Sequence, residues 1–179
     1  MITLETERCI LRPFEVTDLE DFFEYAKNPN VGRGAGWAPH DNLESSMEIL
    51  HSFMESEEVW AIIYKENNKL IGSVGLHKDQ LRTAPDVKML GYVLSEAYWG
   101  QGIMSEAAGA VIPYAFEKLN ISLLTVHHYS FNARSKRVIE KCNFRYEGTL
   151  RHCSKIYDGT IHDLLCYSMT REEWLDTQI

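Results

Sequence analysis

The chain has 179 residues, 45% hydrophobic and 25% charged, with a formal charge of −8. That length and balance fit one domain, 1–179, large enough for a full core, and argue against a second one. No apolar run approaches the ~20 residues of a helical membrane span, so a cytoplasmic protein with no membrane partner is expected.

The N-terminus MITLETERC lacks the charged and apolar regions of a signal peptide. The acidic balance argues against nucleic acid and is compatible with cationic substrates. Cys9, Cys142, Cys153 and Cys166 lack the C-x-x-C spacing of a metal site, and four cysteines in a chain this long need not pair. Free thiols and no metal are expected.

Residues 9–13 (CILRP) alternate and predict the first strand. Thr17-Asp18-Leu19-Glu20 reads as a capping box. Leu19, Phe22, Phe23 and Ala26 then share one helical face until Asn28-Pro29 stops it. Residues 31–40 (VGRGAGWAPH), with three glycines and a proline, predict a loop. Asp41-Asn42-Leu43-Glu44 offers a second cap, followed by the apolar stripe Leu43, Met47, Leu50 and Met54. Residues 59–65 and 69–77 predict a hairpin around Asn67-Asn68 that pairs next with 87–95 in an antiparallel meander. His77, near the end of its strand, faces either a groove or solvent, and a catalytic role is one of its readings.

Gly91 to Leu94 has the composition of a buried strand, and 95–98 its exit. Gly100, Gln101 and Gly102 follow, and Ser105-Glu106-Ala107-Ala108 begins a helix at once. Such a turn lets the backbone approach a ligand. It aims free N–H groups and the positive end of a helix dipole at one point, which suits a phosphate or pyrophosphate. Glycine at a strand–helix junction also serves simply to turn the chain. Pro113, inside the expected helix 105–119, should bend or loosen it, with Gly109 leaving room for the ring. Residues 123–128 form the next strand and Asn132 caps a helix to Lys141. Residues 144–154 and 160–170 make a closing hairpin around Tyr157-Asp158-Gly159, and 171–175 begin a tail helix.

YWGQGIMSEA resembles the acetyl-CoA-binding motif of the GNAT N-acetyltransferase superfamily, Q/R-x-x-G-x-G/A. Trp99 stands at the Q/R position, Gly102 at the fixed glycine and Met104 at the second small residue. The two departures resemble the branch of bacterial ribosomal-protein N-terminal acetyltransferases, with its aromatic-Trp-Gly-x-Gly run. Downstream, Asn132-Ala133-Arg134-Ser135, then Val138 to Phe144 and Glu147-Gly148, are similar to that branch's N-x-x-S…EK-x-GF…EG segment, with Asn143 in place of glycine. The likeness runs over residues 6–174.

The resemblance implies an α/β GNAT fold: a mixed, mostly antiparallel seven-stranded sheet splayed at the cofactor strand, with helices on both faces. It implies acetyl-CoA as cosubstrate, held by Val93, Leu94, Trp99, Gln101, Gly102, Ile103, Met104, Ser105, Asn132 and Ser135. The pantetheine would run beside 91–94, and the amide of Val93 or Leu94 would bind the thioester oxygen. Ser135 matches the serine that returns a proton to the thiolate, with Tyr129 and Tyr146 also in reach; Asn132 combines a helix cap with a bond to the pantetheine. Loops similar to 31–40 border the acceptor, which makes Arg33, Trp37 and His40 substrate candidates, although Trp37 also reads as a packing anchor. Direct transfer is implied; the cysteines form no recognisable Cys-His constellation.

The familiar acidic base of this branch falls on Met89, and a second glutamate position on Ser154. His77, Glu96 or His162 would have to act instead, through water. An α-amine, with a pKa of ~7.7–8, is roughly a tenth neutral at pH 7, whereas a lysine near ~10.4 is not. That favours a protein N-terminus, such as a ribosomal protein's, as acceptor. A small amine (polyamine or aminoglycoside) and a non-catalytic CoA-binding sensor are the alternatives, and a homodimer is in keeping with the family.

Overall fold

A computed structural model describes residues 1–178. Its strands are β1 (Leu4–Glu5), β2 (Cys9–Pro13), β3 (Val59–Tyr64), β4 (Lys69–Lys78), β5 (Val87–Leu94), β6 (Leu123–Tyr129), β7 (Arg145–Lys155) and β8 (Ile161–Thr170). The helices are α1 (Leu19–Ala26), α2 (Pro29–Ala35), α3 (Leu43–Ser56), α4 (Ile103–Glu117), α5 (Ala133–Lys141) and α6 (Arg171–Asp176). One sheet holds all eight strands in the order β1-β2-β3-β4-β5-β6-β8-β7. Seven were expected; the eighth, β1, adds only Leu4↔Leu11 and Glu5↔Ile10, too short to show an alternation in sequence.

β4 is buried over Leu70 to Leu76 because helices cover both faces of the sheet. On one face Leu11, Val74, Leu76, Leu90 and Leu94 meet Ile103, Ala107, Val111 and Phe116 of α4. On the other, Phe22, Tyr25 and Leu50 of α1 and α3 meet Val59, Ala61, Ile63 and Leu70. Among the described residues, no helix is long and apolar enough to cross a membrane.

Three local expectations change. The box assigned to Thr17 belongs to Asp18, buried in a 3-10 turn, which accepts the Glu15 N–H at 2.8 Å and both Arg12 Nη atoms at 2.8 and 2.7 Å. Residues 31–40 are not a plain loop. Asn28-Pro29 ends α1 and starts α2: Asn28 Oδ1 accepts from Asn30 N, proline takes N1, and Gly36 at φ 88 closes the helix. Caps at both ends thus override a glycine-rich interior. Finally, α4 begins at Ile103 and runs unbroken through Pro113.

Among the described residues β5 and β6 are the only parallel pair, and they are registered only at Val87↔Leu123, Lys88↔Leu124 and Met89↔Thr125. β6 stays on β8 as far as Tyr129 while β5 stays on β4 as far as Leu94. Beyond Met89 the two strands diverge, and the sheet opens.

Candidate active site

The opening widens into a cleft of about 770 Å³. Ser95 N donates to Ile71 O at 2.7 Å, and Val93 lies opposite Ser73 and Gly91 opposite Gly75. Antiparallel bonding alternates, so the N–H and C=O of Gly91, Val93 and Ser95 go to β4, and those of Tyr92 and Leu94, beyond the last bridge to β6 at Met89↔Thr125, point into the gap. The Leu94 carbonyl is taken by Trp99 Nε1 at 2.8 Å. Its N–H is left facing the cleft. Of the two amides expected at the thioester, Val93 is therefore committed to the sheet, and Leu94 is the free one.

Below Leu94, Gly100 and Gly102 both adopt left-handed backbone, φ 77 and 79. A Cβ at Gly100 would meet nothing within 4 Å, and one at Gly102 only Arg8 Nη2 at 3.8 Å, so conformation rather than packing demands glycine. Gly102 caps α4, whose bonding begins with Glu106 N on Gly102 O; this leaves the amides of Ile103, Met104 and Ser105 to the cleft. Arg8 holds the turn: Nη1 donates to Gln101 O at 2.9 Å, and its N and Nε to the Glu106 carboxylate at 2.8 and 2.7 Å. Arg134, Arg137 and Lys141, spaced on one side of α5, line the same cleft, and Arg134 lies over the Trp99 ring at 4.2 Å. Trp99 thus serves as a strut and a stacking face in place of a donor side chain.

Where β5 faces α5, Tyr92 Oη and Ser135 Oγ are 2.8 Å apart. Burial pushes the Tyr92 phenol above its ordinary value, so it keeps its proton. On the opposite face, His77 lies across from Met89, its ring occupying space that a Cβ on Gly75 or Gly91 would enter at 2.9 Å. His127 of β6 also lines the cleft. Burial holds both imidazoles below their ordinary pKa, so both are neutral at pH 7.

Residues 8–145 match the family model for the acetyltransferase (GNAT) domain. The chain belongs to the GNAT acetyltransferase family. It is 28% identical over 180 residues to the uncharacterized N-acetyltransferase p20 of Bacillus licheniformis, covering 97% of this chain and 99% of that one. A GNAT-family acetyltransferase from Bacillus anthracis superposes with a TM-score of 0.87 at 25% identity, over 96% of this chain and all of that one. The fold is shared, at 21% identity and a TM-score of 0.79, with the microcin C7 self-immunity acetyltransferase MccE, solved with acetyl-CoA and AMP; the match covers 92% of this chain and 93% of that one. N-acetyl transfer is accordingly the activity class of this GNAT enzyme.

Several residues of this acetyltransferase serve otherwise than sequence suggested. His40 does not line the cleft: its Nδ1 is 2.7 Å from Ser46 Oγ and its ring stands edge-on to Phe22. Arg33 and Trp37 do line it. Asn132 accepts from Ser135 N at 3.1 Å and donates to Gly34 O at 3.0 Å, tying α2 to α5. The Tyr146 hydroxyl pairs with Thr149 away from the cleft, whereas Tyr129 lines it, with its hydroxyl packed against Gly36. No cysteine lines the cleft among the described residues, and burial pushes the Cys142 thiol up to about 11. Arg8, Tyr92, His127 and the α5 cations were not singled out from sequence. Only the i, i+3, i+7 spacing of Arg134, Arg137 and Lys141 offered a signal.

His77, His127 and His128 are all held down by burial. The unfolded chain binds protons at these sites near pH ~6.5, the folded one only lower. Their contribution is intact above ~6.5 and lost as the pH falls through that value. The melting temperature should therefore drop by several degrees between pH 7.5 and 5.5, and less steeply in His77→Gln; a melting temperature that rises on acidification would contradict these assignments.

Proposed function

We propose that this enzyme moves the acetyl group of acetyl-CoA directly to the α-amine of a protein or peptide N-terminus, such as that of a ribosomal protein. The observation that carries the reading is the free Leu94 amide, facing the gap between the Gly100–Gly102 turn and the Tyr92–Ser135 pair. The amides of Ile103, Met104 and Ser105, with Arg134, Arg137 and Lys141, suit the cosubstrate's phosphates. The gap-facing edge of Tyr92 and Leu94 offers the pantetheine a strand to pair with. As the amine nitrogen attacks the thioester carbon, the Leu94 N–H stabilises the charge on oxygen. The C–S bond then breaks, and the Ser135 hydroxyl, backed by Tyr92, returns a proton to sulfur. The amine's own proton leaves to neutral His77 or to water.

An α-amine fits a site with Met89 where a carboxylate base would stand, because a useful fraction of it is already neutral at pH 7. The test uses a peptide with a free N-terminus and an internal lysine, digested and analysed by mass spectrometry after turnover. Acetyl is expected on the α-nitrogen; acetyl on lysine alone would overturn the acceptor assignment. Ser135→Ala should lower kcat by about 100-fold, with a much smaller change in acetyl-CoA affinity. Full activity in that variant would remove Ser135 from the mechanism.

A further inference from the structure

The charged groups that line the cleft are unevenly matched. Its single carboxylate among the described residues, Glu96, accepts from Asn28 Nδ2 at 2.7 Å and from Asn30 Nδ2 at 3.0 Å. Its four cations, Arg33, Arg134, Arg137 and Lys141, have no ion pair within 4.0 Å and donate no hydrogen bond among the described residues. Elsewhere Arg8, Arg12, Arg82 and Lys88 are each paired with a carboxylate, while Lys27, Lys78, Arg151 and Lys155, also away from the cleft, have no ion pair among the described residues.

Three of the free cations lie on α5 beside the glycine turn, where phosphates are expected. Arg33 stands apart from them on α2. Its guanidinium lies 5.0 Å over the Phe131 ring. Phe131 in turn stacks on Tyr129 and meets His162 edge-on at 4.7 Å. α2 is held there at both ends, by Asn28 and Asn30 on Glu96 and by Asn132 on Gly34. The carboxylate that feels the field of Arg33, Asp158 in the β7–β8 turn, is engaged by Thr160 N and Oγ1 and does not line the cleft. Arg33 therefore presents free donors on the α1–α3 side of the sheet, the side that carries Trp37, His77 and Met89.

We infer that the acceptor carries an anionic group near its amine, a carboxylate or phosphate that pairs with Arg33, and that polycationic amines are poor acceptors. This rests on the acetyltransferase reading of the same cleft. A guanidinium that recognises an anion does so through charge-assisted, often bidentate hydrogen bonds. A polyamine's second charge would meet Arg33 and find no free carboxylate on the wall.

The test measures CoA release from acetyl-CoA by the full-length enzyme, with tripeptides that carry Glu, Gln or Arg at position two or three behind N-terminal alanine, and with spermidine. kcat/KM should be at least about tenfold higher for a Glu peptide than for its Gln twin, and lowest for Arg and spermidine. Arg33→Glu should reverse the order of the Glu and Arg peptides, mainly through KM. Its affinity for acetyl-CoA, read by calorimetry, should not change. Equal rates for Glu and Arg peptides, or spermidine as the best acceptor, would overturn the inference and leave the acetyltransferase reading intact. Failure of the wild type to bind acetyl-CoA before any amine is added would bring down that reading, and this inference with it.

Discussion

Gly102→Asp should raise the dissociation constant for acetyl-CoA by at least about 100-fold in calorimetry. Two effects act together. The residue sits at φ 79, where a side chain costs about 1–2 kcal/mol. The new carboxylate would stand at the cap of α4, among the amides left to the cleft, and repel the phosphates proposed to bind there. The loss of even two charge-assisted bonds, at about 1.5–3 kcal/mol each, suffices for the expected change. Gly102→Ala separates the effects. A Cβ meets only Arg8 Nη2 at 3.8 Å, so alanine pays the backbone cost alone and should weaken binding less than tenfold. Unchanged affinity in the aspartate variant would move the phosphates away from this turn.

Gly72→Ala should be strongly destabilising. A Cβ there would lie 2.3 Å from Val93 O and 3.0 Å from Leu94 Cα, both backbone atoms. Neither can retreat without breaking the β4–β5 ladder at Gly72↔Leu94, next to the gap. About 3 kcal/mol should be lost, a fall in melting temperature of about 6–12 °C for a chain of this size. Gly109→Ala is the matched control: nothing lies within 4 Å of its Cβ, and the helix should gain roughly 0.5–1 kcal/mol. Equal melting temperatures for the two variants would contradict the packing at Gly72.

The glycine turn was legible because only glycine tolerates its backbone, and the buried strands because their composition is apolar on both faces. What remained hidden depends on contacts distant in sequence. Whether Val93 or Leu94 offers a free amide is decided by register, anchored by Ser95 on Ile71. Tyr92 meets Ser135 across 43 positions of sequence. His77 and His127 share the site because β4 and β6 flank β5, which neither local pattern reveals. α2 is hidden in sequence because Gly32 and Gly34 lie inside it and its closing Gly36 looks like another loop glycine, and His40 leaves the cleft because Ser46 and Phe22 draw it inward. The formal charge of −8 is compatible with cationic substrates, whereas four of the five charged side chains around the cleft, among the described residues, are positive. A total says nothing about which charges are already neutralised by their neighbours.

The alternation along β5 gives this strand a reading frame. Substitutions from Val87 to Leu94 change what lines the gap but leave odd residues bound to β4 and even residues turned outward. The loss or gain of a single residue would exchange the two sets: the gap-facing amide would pass from Leu94 to a neighbour, and His77 would face a side chain drawn from the opposite surface. Within this strand, then, length is under tighter constraint than identity. α2, which brings Arg33 to the cleft wall, lies outside that count and can be rewritten without shifting it.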